Sequence, residues 1–310
     1  MLLKPRAIRS GDRLAIVAPA SPFERMEFDA GIAELRALGF DPVYDDDVFA
    51  RRGYVAGEPA VRAEALRRAW RDPTIAGVIA VRGGYGSAQI LPLLDPVEAR
   101  RARKVFVGYS DLTAMLAFLT GACGLVAFHG PMLAGKLARG SAGYDRASFL
   151  GCLGRPEPLG EIAPPELETL RGGEAAGPLA GGTLTQLVAS LGTPFAFAPP
   201  EGHVLFLDEV GERPYRIDRM LTQLAQSGVL ARATAVVFGE LPRCDEPRGE
   251  PTARAVVAEL LQDFCGPVLF GLSSGHTTRP ALTLPFGVRT RVVGGPRARL
   301  VIEEAAVSDD

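Results

Sequence analysis

The chain has 310 residues, a formal net charge of −2, 47% hydrophobic residues and 23% charged residues. That length suits one large or two medium domains, and the composition is that of a soluble globular protein. So small a net charge supplies no bulk field for nucleic acid or an anionic membrane, and neither is expected as a partner.

Four cysteines, Cys123, Cys152, Cys244 and Cys265, are far apart with no Cys-x-x-Cys pair. This argues against a zinc site and a disulfide framework and suits a reducing cytosol. The start, Met-Leu-Leu-Lys-Pro-Arg, has no apolar signal-type run, so a cytoplasmic location is expected. Two long uncharged runs, 112–135 and 175–200, are broken by glycine and proline and read as buried elements, not membrane spans.

Taken in order, Asp12 to Ala18 reads as a first strand, ending at the loop Pro19-Ala-Ser-Pro22. Glu24 to Leu38 has a helical apolar period and is closed by Gly39. Pro42 to Tyr44 is a short strand, and the acidic triplet Asp45–Asp47 after it reads as a solvated turn without calcium-ligand spacing. Val61 to Trp70 is a helix, and Ile75 to Val81 is an apolar strand of the kind buried on both faces. The glycine-rich loop Arg82-Gly-Gly-Tyr-Gly-Ser87 follows, with a helix expected from about Ala88. The loop lacks a third dinucleotide-type glycine and a Lys-Ser/Thr pair, so it reads as a backbone-donor loop for another anion or an oxyanion.

Next comes Lys104-Val-Phe-Val-Gly-Tyr-Ser-Asp-Leu-Thr-Ala-Met115. Val105 to Val107 is a strand, and Leu112, Met115, Leu116 and Leu119 fall on one helix face. Strand, sharp turn and helix describe a nucleophile elbow with Ser110 at its tip. The second glycine of Gly-x-Ser-x-Gly is missing; the alternative is that Ser110 or Asp111 N-caps the helix. Residues 137–182 are rich in proline and glycine and read as a crossover between domains. Beyond it, Gly181–Ser190 reads as a turn and helix, and helices are expected at Tyr215–Gln226 and Thr252–Phe264. Strands are expected at 204–207, 235–238, 268–270, 281–284, 288–292 and 299–302. Alternating strands and helices imply a parallel, doubly wound α/β sheet with its site at the strand C-termini.

A serine nucleophile needs a base and an acid to orient it. Only three histidines exist. His203 reads as a cap or surface residue, and His129 as a packed residue or a site-lining one. His276, in the small polar loop Ser273–Thr278, is the favoured base. The acid is Asp208 or Glu209 at the end of Val204–Leu207; strand alternation allows only one of them to face the base.

These residues resemble the LD-carboxypeptidase family of serine peptidases, to which microcin-immunity peptidases are related. The resemblance rests on Ala18-Pro-Ala-Ser-Pro22, Val81-Arg-Gly-Gly-Tyr-Gly86, Gly108-Tyr-Ser-Asp111 and Gly130-Pro-Met132. Gly181-Gly-Thr-Leu184, Leu191-Gly-Thr-Pro194, Asp208 to Arg219, Gly275-His276 and Leu284-Pro-Phe-Gly287 extend it over nearly the whole chain. It implies a flavodoxin-like doubly wound N-terminal domain (1–136), a linker (137–175) and a C-terminal swivelling β/α domain (176–310). It also implies a metal-free, cofactor-free Ser110–His276–acid triad and an oxyanion hole of the Gly84 and Asp111 N–H groups. The family's orienting glutamate lies in Leu-Glu-Asp; here the order is Leu207-Asp208-Glu209, so Asp208 matches. The family's usual Gly-Gly-Asn-Leu has Thr183 in place of asparagine.

The implied activity is removal of the terminal D-alanine from cytoplasmic murein tetrapeptide by a homodimer. Arg82, Tyr85, Thr183 and Glu209 are the substrate-side candidates, since a guanidinium suits a carboxylate. A peptidyl or aminoacyl nucleotide is the alternative substrate. A non-catalytic ligand-binding protein on the same scaffold is the alternative of another class.

Overall fold

A computed structural model describes residues 2–309. Two sheets organise them. The first is built by β1 (Arg13–Val17), β2 (Asp41–Val43), β3 (Ile75–Ala80), β4 (Val105–Gly108) and β5 (Ala127–His129). Its helices are α1 (Arg25–Ala37), α2 (Pro59–Arg71), α3 (Pro96–Ala102) and α4 (Thr113–Gly121). The helix expected from Ala88 is instead two short 3₁₀ turns, at Ser87–Gln89 and Leu91–Leu93. Pro92 follows too closely for an α-helix to run through, and α3 starts only at Pro96.

Helix α5 (Arg146–Gly154) leads to the second sheet: β6 (Gly160–Ile162), β7 (Glu168–Arg171), β8 (Gly173–Thr183), β9 (His203–Asp208), β10 (Ala233–Gly239) and β11 (Val268–Leu272). Helices α6 (Leu184–Ser190), α7 (Pro214–Gln226) and α8 (Ala253–Leu260) connect them. The chain ends with β12 (Leu284–Phe286), β13 (Arg289–Gly294) and β14 (Arg299–Ile302).

The first sheet has the order β12-β5-β4-β3-β1-β2, the second β6-β14-β13-β8-β9-β10-β11-β7. All pairs among β1–β5 are parallel, whereas β12 returns from late in the chain to pair antiparallel with β5. In the first sheet the strand order reverses between β1 and β3. Doubly wound sheets place their sites at the loops leaving the strands at such a reversal. Here the Ser21 N–H donates to the Gly83 carbonyl (3.1 Å).

Strand alternation divides the core. Val204 and Phe206 of β9 and Ala235 and Val237 of β10 pack into the cluster that underlies the first sheet. Leu205 and Leu207, with Val236 and Phe238, pack on the other side against Ile217, Leu221 and Leu224 of α7. The residue after Leu207 therefore faces the first sheet, and the one after that faces α6 and α7. Among the described residues no helix is long and apolar enough to cross a membrane.

The stretch read as a crossover holds an unexpected strand. Residues 160–183 form β6, β7 and the eleven-residue β8, which pairs parallel with β9 near the sheet's centre. Its sequence, Gly-Glu-Ala-Ala-Gly-Pro-Leu-Ala-Gly-Gly-Thr, has almost none of the β-branched or aromatic residues that mark strands. The reason is steric. A Cβ at Gly177 would lie 1.8 Å from the Gly202 carbonyl oxygen, and one at Gly181 would lie 1.8 Å from that of Phe206. Close backbone approach demanded glycine and erased the signal.

Gly181 also has φ +149°, which L-residues rarely adopt. Gly181→Ala is expected to destabilise the fold by about 3 kcal/mol, combining overpacking against backbone with an unfavourable φ. Urea denaturation monitored by circular dichroism measures this; a variant within ~0.5 kcal/mol of the parent would show that the backbone gives way easily.

Candidate active site

Four loops at strand C-termini meet between the two sheets. The first follows β4. Ser110 has φ +62°, a left-handed conformation that is strained for a side chain with a Cβ. It is held there by close neighbours. A Cβ at Gly83 would lie 2.9 Å from the Ser110 Cβ, and one at Gly108 would lie 2.9 Å from the Leu112 Cβ. Neither Ser110 nor Asp111 caps the helix: no side-chain cap bond forms at this turn or at α4. The Asp111 carboxylate instead accepts the Ser87 N–H (2.8 Å), and the Ser87 hydroxyl donates to the Asp111 carbonyl (2.6 Å). The glycine loop after β3 is thus fastened to the elbow. A Cβ at Gly83 would come within 3.3 Å of the Asp111 nitrogen, so the Gly83–Gly84 backbone and the Asp111 N–H are neighbours.

Arg62 of α2 stitches the same region. Its buried guanidinium donates to the carbonyls of Pro19 (2.6 Å), Gly86 (2.8 Å) and Gly57 (3.2 Å) and to the Gln89 side chain (2.6 Å). The Ser21 hydroxyl donates to the Tyr54 carbonyl (2.9 Å) and accepts the Tyr85 N–H (3.0 Å). Arg82 is exposed, with one donor on the Pro22 carbonyl (3.2 Å). Tyr85 is exposed too, set edge to face against Tyr54 with ring centroids 5.5 Å apart. Both sit on the loop that borders Ser110.

The second sheet brings His276 and Asp208. Asp208, at the end of β9, is fully buried and faces the first sheet, as alternation requires. Its Oδ2 accepts both the His276 backbone N–H (2.8 Å) and the His276 Nδ1–H (2.7 Å). The His276 Nε2 lies 3.1 Å from the Ser110 Oγ. A carboxylate only accepts, so the ring proton sits on Nδ1 and Nε2 is free to accept the serine hydroxyl. Gly275 is obligatory here, with φ +69° and a would-be Cβ 2.1 Å from the Asp208 Oδ2. The loop beyond is anchored by Glu240, which accepts from the Thr277 hydroxyl, the Thr278 N–H (3.0 Å) and hydroxyl (2.9 Å), and Arg279 (3.1 Å). Lys136 donates to the Thr277 carbonyl (2.9 Å). Sequence reasoning missed Glu240, Lys136 and Arg62. Only Glu240 left a sign, being a carboxylate at a strand's C-terminal end, as Asp208 is.

Electrostatics follow from this pairing. Burial alone would raise the Asp208 pKa, but the charge and hydrogen bonds of His276 more than offset it and hold the carboxyl below its usual range. Burial likewise pushes His276 down, and the Asp208 charge and hydrogen bond overcome it, leaving the imidazole more basic than usual. His129 behaves oppositely: burial lowers its pKa to about 4. It is enclosed by Tyr109, Phe206 and Phe286, with Nδ1 3.2 Å from the Ser274 hydroxyl and Nε2 3.9 Å from the Asp208 Oδ1. His203 is buried, not a surface residue; its Nδ1 lies 2.9 Å from the Pro200 carbonyl, at the first position of β9.

Two of the substrate-side candidates, Thr183 and Glu209, make internal bonds. The Thr183 hydroxyl donates to the Asp208 Oδ1 (2.7 Å) and is buried with it. The Glu209 carboxylate points to the other face of β9, where it accepts the Thr185 N–H (2.8 Å) and hydroxyl (2.6 Å) and the Val210 N–H (2.9 Å). Both side chains are held inside the protein, so neither presents a free group to the cleft. Among the described residues no group of three or more His, Cys, Asp or Glu side chains is placed to hold a metal ion.

Comparison with known proteins agrees with this arrangement. The LD-carboxypeptidase N-terminal domain matches residues 14–130, and the LD-carboxypeptidase C-terminal domain matches residues 176–292. A putative carboxypeptidase of Streptomyces coelicolor is 40% identical over 93% of this chain and 92% of its own length. A probable murein peptide carboxypeptidase of Bacillus subtilis is 30% identical over 99% of this chain and 96% of its own. Among solved structures, the microcin C7 self-immunity protein superposes with a TM-score of 0.89 over 99% of this chain and all of that one; at 22% identity that likeness concerns the fold. With both domains matched in order and full-length relatives at this identity, the chain belongs to the LD-carboxypeptidase family of serine peptidases and is a hydrolase of the carboxypeptidase class.

Proposed function

We propose that the protein removes the terminal D-alanine from murein tetrapeptide in the cytoplasm, in peptidoglycan recycling. Ser110 is the nucleophile, His276 the base and Asp208 the orienting acid. The observation that carries this reading is the unbroken hydrogen-bonded line from the Asp208 Oδ2 through the His276 ring to the Ser110 Oγ, ending at a serine in strained backbone. The murein substrate is suggested by the name of the Bacillus subtilis relative.

In this mechanism the Ser110 oxygen attacks the carbonyl carbon of the bond to D-alanine while its proton passes to the His276 Nε2. Asp208 stabilises the imidazolium so formed. The oxyanion of the tetrahedral intermediate takes the N–H groups of Gly84 and Asp111. As the C–N bond breaks, His276 returns the proton to the leaving amine. A water then attacks the acyl-serine by the same route and frees Ser110. Arg82 stands on the bordering loop to take the substrate's terminal carboxylate, and Tyr85 beside it offers a ring face.

Incubating the purified protein with murein tetrapeptide, and separately with an aminoacyl-sulfamoyl adenosine, tests the reading by product mass. Loss of D-alanine from the peptide is expected. Cleavage of the adenosine compound alone would point to the nucleotide substrate, and cleavage of neither to a binding protein.

Ser110→Ala and His276→Ala should each lower kcat by ~10³-fold or more in a folded protein, since triad members act as a unit. Near-parental turnover in either would remove the triad. Asp208→Asn should fall toward the ~10⁴-fold loss that accompanies a wrong imidazole tautomer, because an amide can donate where the carboxylate only accepts. Glu209→Gln, altering a side chain turned away from His276, should cost far less; steady-state kinetics that reversed this order would reassign the acid.

The pH profile follows from the raised His276 pKa. The active form is neutral His276, so kcat/KM should rise with pH through an acid limb above the ordinary histidine value of about 6.5. His129 remains neutral until about pH 4 and contributes nothing to that limb. A limb centred clearly below 6 would show that Asp208 does not hold a charge against the ring.

A further inference from the structure

In the parallel pairing of β8 with β9, Thr183 lies directly opposite Asp208, on the face turned toward the nucleophile. It makes two bonds in different directions. Its hydroxyl donates to the Asp208 Oδ1 (2.7 Å), and its backbone N–H donates to the Thr113 Oγ1 (2.9 Å). Thr113 begins α4, three residues after Ser110. The two glycines before Thr183 let it come this close: a Cβ at Gly182 would lie 2.5 Å from the Thr113 side chain.

We infer that Thr183 is a positioning residue for the reaction, joining the helix that carries the nucleophile to the carboxylate that orients the base. This rests on the reading of Ser110, His276 and Asp208 as the triad. The physical need is specific. Both His276 donors fall on Oδ2, so they leave the other carboxylate oxygen free to turn about the Cβ–Cγ bond. Asp208 is wholly buried, so bulk solvent does not reach that oxygen. Thr183 is the side chain that donates to it. The other polar atom nearby is the His129 Nε2, 3.9 Å away and without a partner. The Ser274 hydroxyl donates to the Leu282 carbonyl (2.9 Å), so the His129 Nδ1 is the donor to Ser274 and its Nε2 faces Asp208 bare. Without the Thr183 hydroxyl that oxygen has no donor, and the carboxylate can turn away from His276. The imidazolium then loses stabilisation, and the base becomes weaker.

Thr183 also closes a ring. Ser110 contacts His276, His276 contacts Asp208, Asp208 contacts Thr183, Thr183 contacts Thr113, and Thr113 returns to Ser110 through a single turn of backbone. Any shift of one sheet against the other must break a member of the ring.

The test is Thr183→Val, which keeps the branched shape and the backbone N–H and removes only the hydroxyl, beside Thr183→Ser, which restores it. Each is assayed on murein tetrapeptide across pH, with Ser110→Ala as control. The expected result for Thr183→Val is roughly tenfold lower kcat, as for a buried acceptor left unpaired, with KM within about twofold and the acid limb moved to lower pH. Thr183→Ser should match the parent in all three. Unchanged kinetics in Thr183→Val overturn the inference, as does a raised KM at constant kcat, the mark of a lost substrate contact. A fall in kcat without movement of the limb overturns it too, since a merely structural role would give that. If Thr183→Val does not fold, Thr183→Ala removes the same hydroxyl and should show the same signature; parental kinetics there overturn the inference. Full activity in Ser110→Ala would instead remove the underlying triad reading, so the two failures are distinguishable.

Discussion

A buried carboxylate is the constraint on which the site depends. Asp208 has no exposed surface, and an ionised group so placed is tolerable only if other groups replace its water. Three donors do so, from the His276 backbone, the His276 ring and the Thr183 hydroxyl. They come from the loop after β11 and the end of β8, so satisfying one charge assembles two elements around the end of β9. The raised basicity of His276 is the same fact seen from the partner. Both shifts run in the directions a mutual ion pair demands, against the burial of each.

Ser110 is set by a different force, steric confinement. Ser110 occupies a strained φ, and nothing within its own turn caps or relieves it. The turn is fastened from outside by the Ser87–Asp111 pair of bonds, and Gly83, lacking a Cβ, leaves the room the Ser110 side chain takes. Arg62 holds the loops behind them through carbonyl oxygens, although burial depresses the pKa of its guanidinium. A frame of this kind keeps the hydroxyl within reach of His276.

Much of this was legible in the residues. The switch from a buried β-run to a helical period at Gly108–Leu112 marked the elbow, because both periods are strong there. Histidine was so scarce that His276 could be reached by elimination. The choice between Asp208 and Glu209 needed the facing of β9, and alternation could say only that the two differ. The packing of Val204 and Phe206 toward the first sheet decides which faces His276. What could not be read was β8, whose glycines answer to neighbouring backbone and carry no strand pattern. With β8 hidden, Thr183 had no visible register against Asp208 and looked like a group available to substrate. Glu240 and Lys136 were hidden for a related reason. Each acts on loop backbone 38 or 141 residues away, which local pattern does not encode.

The claim at the centre is that Asp208 holds His276 as the Nδ1–H tautomer with Nε2 turned to Ser110. Proton–nitrogen correlation spectra of the ¹⁵N-histidine-labelled protein test it directly, since only three histidines contribute. At pH well above its pKa, His276 should show a protonated Nδ1 and a bare Nε2, titrating above the ordinary value, while His129 stays neutral down to about pH 4. A His276 protonated on Nε2, or titrating below the ordinary value, would contradict the account.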